Sequence, residues 1–160
     1  EIGVRLVGSE MCIRDSYRIS PFQTFNDMSD GDPDATFTAL ARAFDRLGLA
    51  YLHVVEADAP GTAGPQTDAA AFLAARAPLF RDLRQAFSRI LIVNSGYDRA
   101  RGEEVVAAGE ADLVSYAKLF LANPDLPKRL IASASLNEPN KKTFYGGGAE
   151  GYTDYPFLEA

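Results

Sequence analysis

The sequence contains very little that could bind a metal ion or form a disulfide. Its 160 residues include one cysteine, Cys12, and one histidine, His53. A single thiol cannot close an internal disulfide, and one thiol with one imidazole does not supply the ligand cluster that holds zinc. We therefore expect neither a metal centre nor a disulfide framework.

The sequence also lacks long apolar runs and clusters of positive charge. No stretch reaches the roughly 18 consecutive apolar residues of a membrane span, and none has the pattern of a secretory signal. The 22 acidic and 16 basic side chains give a formal net charge of −6, which disfavours nucleic acid and anionic membranes as partners. We expect a cytoplasmic globular protein whose ligand is a small molecule.

What the sequence does contain is a strand-like run followed by a helix-like segment, four times over. The strand-like runs are YRISPF (17–22), LAYLHVVE (49–56), RILIVN (89–94) and DLVSYA (112–117). This alternation predicts an α/β fold of about four parallel β/α units. Such units form either half of a TIM (β/α)8 barrel or a small open doubly wound sheet. A whole barrel needs about 250 residues, so this chain would hold only about half of one.

Local signals predict where the helices begin and end. The first helix should run from Pro33 to Leu47, with Asp32 as its N-cap, Gly48 after its last turn, and an apolar stripe of Phe37, Leu40, Ala41, Phe44 and Leu47. Later boundaries are expected as a kink or break at Pro78, a start at Asp98, an end at Gly109, and a last start at Asn123-Pro124.

Residues 1–17 do not fit this pattern. The chain begins at Glu1, without Met, inside a run that already looks like a strand, so we expect a fragment of a longer protein. The string VGSEMCIRDSY (7–17) resembles a translated sequencing-adapter artefact that splits one strand in two. We therefore divide the chain into residues 1–17, a strand fragment with a non-native insert, and residues 18–160, the half-barrel. A native loop or hairpin is the alternative for the insert.

Two predicted strand-to-helix turns are rich in small residues: Asn94-Ser95-Gly96 and Ala117-Lys118. Turns after the last strands of a β/α barrel commonly bind a phosphate through backbone N–H groups. Backbone geometry alone is the alternative explanation for these glycines and serines. We interpret His53, inside an apolar strand, as a hydrogen-bonded structural histidine, and Glu56, at the end of that strand, as better placed for a site.

The segment FYGGGAEGYTDYP (144–156) combines four glycines with four aromatic residues. Glycines allow close approach of the backbone and aromatic rings offer flat faces for stacking. The segment is typical of a C-terminal lid that packs against a planar ligand or against the barrel, and a flexible linker is the alternative.

Several motifs together resemble the C-terminal half of the Old Yellow Enzyme family, the FMN-dependent ene-reductases that include N-ethylmaleimide reductase-like proteins. The motifs are RISPFQTFNDM, GLAYLHVVE, LIVNSGYDR, ADLVSYAKLFLANPDLPKRL and LNEPNKKTFYGGGAEGYTDYP, in that order from Arg18 onward. The resemblance implies an eight-stranded β/α barrel with FMN at the carboxyl ends of the strands, of which this chain supplies strands five to eight.

The resemblance also implies roles for individual residues. The FMN-binding residues would be Arg18 (or Arg5, if the split strand is joined differently), Asn94, Ser95, Gly96, Ala117, Lys118 and Phe144, and the substrate pocket would include Phe25 and Tyr145. The family often has Gly-Arg where this chain has Ala117-Lys118, which implies weaker phosphate binding. No position matches the family's His/Asn pair or its tyrosine proton donor, so the catalytic residues are unassigned.

The activity that the resemblance implies is an oxidoreductase in which NAD(P)H reduces FMN and the reduced flavin passes hydride to an activated alkene. Two alternatives stay open. One is a catalytically inactive half-barrel that keeps part of the phosphate site and self-associates through open sheet edges. The other is a stand-alone phosphate-binding module with an open sheet.

Overall fold

The computed structural model describes residues 16–23, 29–56, 76–146 and 148–158. The chain divides into two compact units, Glu1–Ser115 and Tyr116–Ala160, and each is described by itself. Arg5, Phe25 and most of the expected insert lie outside the described residues, so those expectations stay predictions. The end of that insert is described, and there Ser16 and Tyr17 are strand residues.

The first unit contains a four-stranded parallel sheet. Its strands are β1 (Ser16–Ile19), β2 (Tyr51–Val55), β3 (Ile90–Asn94) and β4 (Leu113–Ser115), and they are hydrogen-bonded in sequence order. A helix connects each strand to the next, and this is the crossover connection that parallel strands require. The predicted β/α alternation is therefore confirmed, with each strand one to three residues shorter than its apolar run.

Helix α1 (Pro33–Leu47) begins and ends where the capping signals predict. The Asp32 side chain accepts a 3.1 Å hydrogen bond from the Ala35 N–H, and Gly48 adopts a left-handed φ of 73° after the last turn. Glycine reaches that conformation without the Cβ penalty of other residues. The apolar stripe is also confirmed except at Leu47, which lies on the last turn and is 74% exposed.

Of the kink or break expected at Pro78, the kink is not found, because helix α2 (Ala77–Ala86) begins one residue before Pro78. Residues 57–75, where the earlier part of the expected helix falls, lie outside the described residues. Pro78 lies in the first turn, where its missing N–H costs no intrahelical hydrogen bond. Helix α3 (Arg99–Ala107) begins after Asp98, whose side chain accepts a 2.8 Å hydrogen bond from the Arg101 N–H. The chain leaves α3 through Gly109 at a φ of 71°, as predicted.

The core of the first unit lies between the sheet and its helices. Because side chains alternate along a strand, Leu52 and Val54 of β2 face the helices together with Leu91 of β3. The buried apolar cluster consists of Ile19, Ala41, Leu49, Leu52, Val54, Leu79, Leu83, Phe87 and Leu91. Burial of such side chains contributes roughly 1.5–3 kcal/mol each, which holds α1 and α2 on one face of the sheet.

The opposite face of the sheet is partly open. Ile90 and Leu113 point to this face and remain 46% and 52% exposed, although both belong to parallel strands. Parallel strands in folded domains are normally covered on both faces. This face is the one that would point into the interior of a closed barrel.

The second unit begins with two short helices, α4 (Lys118–Ala122) and α5 (Leu126–Ala132). The prediction that Asn123 caps the last helix is wrong, because Asp125 occupies that position. Asn123 is fully buried and its amide bridges two segments: Nδ2 donates to the Leu119 and Asn137 carbonyls, and Oδ1 accepts from the Asn137 N–H at 2.7 Å. Its side chain therefore fixes the segment that follows α5.

The C-terminal segment of the second unit is fastened at both ends. Arg129 Nη2 and Asn137 Nδ2 both donate to the Pro156 carbonyl, at 2.8 and 2.9 Å. Asp125 Oδ2 accepts a 2.8 Å hydrogen bond from the Leu158 N–H. The segment between Asn137 and Pro156 is thus a closed loop, which we call the tail loop.

Candidate functional site

The carboxyl ends of three strands meet along one edge of the sheet. The Glu56 N–H donates to the Asn94 carbonyl at 3.0 Å, which extends the β2–β3 pairing by one residue. Asn94 Nδ2 donates to the Ser115 carbonyl at 2.7 Å. Since Asn94 uses its amide to join β3 and β4, its side chain has a structural partner within the sheet, and its predicted contact with FMN stays a prediction.

The turn that follows β3 has an unusual backbone. Ser95 and Gly96 both have positive φ angles, 90° and 73°. For serine this conformation costs on the order of 1–3 kcal/mol and persists only where surrounding groups hold it. Arg101 supplies that support, because its Nη1 donates to the Gly96 carbonyl at 3.1 Å and approaches the Ser95 carbonyl at 3.5 Å.

The direction of these carbonyls determines where the neighbouring N–H groups point. In a trans peptide the N–H is antiparallel to the C=O of the preceding residue. With the Ser95 and Gly96 carbonyls turned toward Arg101, the N–H groups of Gly96 and Tyr97 point away from it. Two adjacent N–H groups directed to the same side are the donors that a phosphate requires, so the turn fits the predicted phosphate role.

A buried charged cluster lies behind this turn. Glu56 is 7% exposed, accepts a hydrogen bond from the Tyr97 hydroxyl on Oε1 and pairs with Arg101 through Oε2. The Arg101 guanidinium also stacks 4.1 Å from the centre of the Tyr97 ring. Burial and the adjacent Glu56 carboxylate raise the pKa of Tyr97 well above its usual value, so the hydroxyl remains a donor.

Sequence reasoning singled out Glu56 but missed Tyr97 and Arg101. A cavity of about 250 Å³ adjoins this cluster, between the sheet, the start of α2 and one side of α3 along its length, and Phe80 and Val105 contribute to its apolar wall. The available signal was position in the chain: Glu56 directly follows β2, and Arg101 lies in the first turn of α3, the helix that follows β3. Parallel strands bring such residues to one edge.

Arg18 and His53 are neighbours across β1 and β2 in the pairing register. The interpretation of His53 as a hydrogen-bonded histidine is wrong for Nε2, which is buried and has no hydrogen-bond partner among the described residues. Its register neighbours, Arg18 and Ile92, offer a cation and a hydrocarbon, and neither side chain can accept a hydrogen bond. Desolvation and the Arg18 charge lower the pKa of His53. The flavin contact of Arg18 stays a prediction.

The remaining predicted site residues belong to the second unit. Ala117 and Lys118 are exposed at the start of α4, and their phosphate role stays a prediction. In the tail loop Phe144 is half-buried and its carbonyl accepts a hydrogen bond from the Tyr152 hydroxyl, while Tyr145 is 98% exposed. The tail loop is held by its own hydrogen bonds and is not a free linker, and Tyr145 has its ring available for contact.

Within residues 16–23, 29–56, 76–146 and 148–158, no three His, Cys, Asp or Glu side chains are grouped so as to hold a metal ion. No helix in those ranges combines the length and apolar character needed to cross a bilayer.

The chain matches known proteins along most of its length. Residues 3–137 match the NADH:flavin oxidoreductase / NADH oxidase family. The chain is 40% identical over 161 residues to 12-oxophytodienoate reductase 1 of Oryza sativa subsp. japonica, a match that covers 99% of this chain and 38% of that protein. This chain therefore spans well under half the length of that relative.

Solved structures agree with the sequence comparison. Morphinone reductase superposes with a TM-score of 0.76 at 41% sequence identity. The match covers 89% of this chain and 36% of the morphinone reductase chain. The old yellow enzyme from Trypanosoma cruzi superposes with a TM-score of 0.73 at 32% sequence identity. That match covers 90% of this chain and 35% of the Trypanosoma cruzi chain. The predicted fold, part of a β/α barrel with four parallel strands, is confirmed, and the resemblance to Old Yellow Enzymes is confirmed with it. The chain belongs to the NADH:flavin oxidoreductase / NADH oxidase family.

Proposed function

We propose that this chain is the part of an FMN-dependent alkene reductase that holds the phosphate of FMN. In the whole protein NAD(P)H is the reductant, and the substrate is a small activated alkene such as an enone or a maleimide. Family membership supports the flavin and the nicotinamide, and the similarity to morphinone reductase and to 12-oxophytodienoate reductase 1 supports alkene reduction.

The observation that carries the proposal is the Ser95–Gly96 turn at the carboxyl edge of the sheet. Its two carbonyls point to Arg101, so the N–H groups of Gly96 and Tyr97 are directed to the other side. In β/α barrels this edge is where phosphate groups bind. A phosphate placed there would receive two backbone hydrogen bonds, which are strong because the acceptor is charged.

Other residues have proposed roles in binding and orientation. FMN, when bound, would supply the hydride chemistry, and the protein would orient it and adjust its electrostatics. Arg18 would place a fixed positive charge beside the flavin ring, and Lys118 would add a point charge near the phosphate. Phe144 and Tyr145 would contribute aromatic surface toward the flavin and the alkene, since Tyr145 is 98% exposed and free to stack.

A second candidate function is a catalytically inactive half-barrel that keeps only part of the phosphate site. The exposed apolar face of the sheet, with Ile90 and Leu113 about half uncovered, favours it. Apolar surface of that kind is expected to drive self-association. Such a chain would bind FMN weakly or not at all and would reduce no alkene.

Two measurements on the purified chain separate these candidates. The first is titration of FMN and of riboflavin, followed by quenching of flavin fluorescence. Tighter binding of FMN than of riboflavin is expected, because only FMN carries the phosphate. The second is oxidation of NADPH or NADH that depends on both FMN and an added enone. Turnover, or tighter binding of FMN than of riboflavin, supports the first proposal. Weak or absent FMN binding without turnover supports the inactive half-barrel, and equal affinity for the two flavins contradicts the phosphate site.

A further inference from the structure

The buried cluster of Glu56, Tyr97 and Arg101 lies behind the Ser95–Gly96 turn, and its role as proposed here rests on the proposed function. We propose that Arg101, fixed by Glu56 and Tyr97, is a positioning residue that holds the Ser95–Gly96 turn in the conformation that binds the FMN phosphate. Arg101 would act through the backbone of the turn, without touching the phosphate itself.

Glu56 is the fixed part of the cluster. Its main chain continues the β2–β3 hydrogen-bond ladder through Asn94, and its side chain is only 7% exposed. Both carboxylate oxygens have partners, the Tyr97 hydroxyl on Oε1 and Arg101 on Oε2. A buried carboxylate is stable only when it is paired in this way, so Glu56 and Arg101 depend on each other.

Arg101 is restrained on four sides. Its backbone N–H is held by Asp98, one guanidinium nitrogen pairs with Glu56, and the other donates to the carbonyls of the turn. The central carbon of the guanidinium lies over the Tyr97 ring. The planar fork of arginine can make these contacts together, whereas lysine offers a single point charge on a flexible stem.

The turn needs this support because its backbone is strained. Ser95 has a φ of 90°, a conformation that a residue with a Cβ rarely adopts. Without Arg101 the two carbonyls would lose their shared donor, and the peptide planes could rotate. Rotation of those planes would carry the Gly96 and Tyr97 N–H groups away from their common direction, and the phosphate would lose both donors.

The positive charge of Arg101 is already matched by Glu56. A residue that bound phosphate directly would need an unpaired charge facing the ligand, whereas here the ion pair points into the cluster. The contribution of Arg101 to flavin binding should therefore depend on the geometry of its hydrogen bonds and not on its charge. Arg101→Lys keeps the charge and loses the fork, and so it tests this point.

The test compares FMN with riboflavin on the full chain. Arg101→Gln and Arg101→Lys should each lower the affinity for FMN about tenfold, as expected for the loss of one to two hydrogen bonds, while the affinity for riboflavin stays the same. Arg99→Gln is the matched control on the same helix, since Arg99 pairs with Glu103 on the exposed surface. It should change neither affinity. Equal losses for the two flavins, or full FMN affinity in Arg101→Lys, would overturn the proposal.

A second measurement examines the turn without flavin. Amide hydrogen exchange at residues 95–97 should be at least several-fold faster in Arg101→Gln than in the wild type, and unchanged in Arg99→Gln. Unchanged exchange in Arg101→Gln would show that Arg101 does not hold the turn. If the wild type binds both flavins equally, the phosphate site fails, and the exchange result still decides whether Arg101 positions the turn.

A milder variant covers the case in which Arg101→Gln does not fold. Tyr97→Phe keeps the ring beneath the guanidinium and removes only the hydroxyl that donates to Glu56. It should reduce the preference for FMN over riboflavin in the same direction by a smaller factor. A folded Tyr97→Phe variant with the wild-type preference and wild-type exchange would contradict the role of the cluster.

Discussion

Arg129 and Asp125 form a buried ion pair at the start of α5, with Arg129 Nε 2.7 Å from Asp125 Oδ1 and both side chains less than a tenth exposed. The same guanidinium donates to the Ser135 and Pro156 carbonyls at 2.7 and 2.8 Å. One arginine thus joins α5 to the end of the tail loop. Of its three partners, only Asp125 is charged, and the other two are neutral backbone carbonyls.

Replacement of Arg129 by methionine should destabilise the second unit strongly. Methionine fills much of the same space but leaves the Asp125 carboxylate without its cation, and the loss of one partner of such a pair is strongly destabilising. Urea denaturation measures the loss. The control is Arg99→Met, which breaks an exposed pair with Glu103 and should cost less than about 1 kcal/mol. Similar losses in the two variants would show that the Arg129 pair contributes no more than a surface pair.

Gly151→Ala should disrupt the tail loop. Gly151 has a φ of 74°, and a Cβ at this position would lie 1.9 Å from Thr143 Oγ1. Overpacking of this kind costs about 1–3 kcal/mol. Gly148→Ala is the matched control, because a Cβ there would come no closer than 4.0 Å to the Glu150 nitrogen. Hydrogen exchange of the Tyr152 and Thr153 amides should accelerate in the Gly151 variant only, and equal exchange in the two variants would refute the predicted clash.

His53 should make the protein less stable at mildly acidic pH. Its folded-state pKa lies below the ordinary value of 6.5 because of desolvation and the Arg18 charge. The unfolded chain therefore binds a proton more readily, and the stability from neutral His53 is present above pH 6.5 and is lost as the pH falls through the folded-state pKa. His53→Gln should show a smaller fall in its urea midpoint between about pH 7.5 and about pH 5.5. If the urea midpoint falls equally in the wild type and in His53→Gln, groups other than His53 cause the loss of stability.

Asp112 should contribute to stability at neutral pH and lose that contribution in acid. Its Oδ2 accepts from the Leu91 N–H at 2.8 Å and from Arg84 Nη1 at 2.6 Å, and these donors hold the pKa of the carboxyl below its ordinary value of 3.8. The contribution is therefore present above pH 3.8 and is lost as the pH falls below it. Asp112→Asn should be less stable than the wild type at pH 7 and should lose less on acidification below pH 4. Asp82→Asn, on the exposed side of α2, should match the wild type in thermal unfolding at both pH values.

Tyr145→Ala tests the proposed pocket. The ring is 98% exposed, so its removal should leave the urea midpoint unchanged within about 0.5 kcal/mol. If the ring stacks on the substrate in the whole protein, the KM for an enone should rise while FMN affinity is kept. Tyr155→Phe is a contrasting change, because the Tyr155 hydroxyl accepts a 2.8 Å hydrogen bond from the Asn140 N–H, and its effect should appear in stability. An unchanged KM in Tyr145→Ala would exclude the ring from the pocket.

Features set by neighbouring residues could be predicted from the sequence. The ends of α1 follow from Asp32 and Gly48, which act within a few residues of themselves, and the parallel strands follow from apolar runs at regular spacing. The exact strand ends could not be predicted, because they depend on pairing with another strand. Pro78 has an unambiguous conformational preference but suits both a kink and a first turn.

Features that depend on contacts between distant residues could not be predicted from the sequence. Glu56 and Arg101 are 45 residues apart in the chain, and no local pattern marks them as partners. Asn123 followed by Pro124 resembles a helix start, yet its amide binds Asn137 fourteen residues later. A buried polar side chain is recruited by whichever backbone groups need a partner in the folded state, and that need is visible only in three dimensions. The flavin contacts of Arg18, Ala117 and Lys118 stay predictions.

The double hydrogen bond to the Pro156 carbonyl has an evolutionary consequence. Because Arg129 and Asn137 fix the end of the tail loop through the Pro156 carbonyl, the ends would stay in place if residues were inserted or deleted between 138 and 155. Doubling the length of such a closed segment costs only about 0.6 kcal/mol of chain entropy. Relatives could therefore differ in the length of the tail loop, and so in the molecules that it contacts, while the hydrogen bonds that hold its ends stay the same.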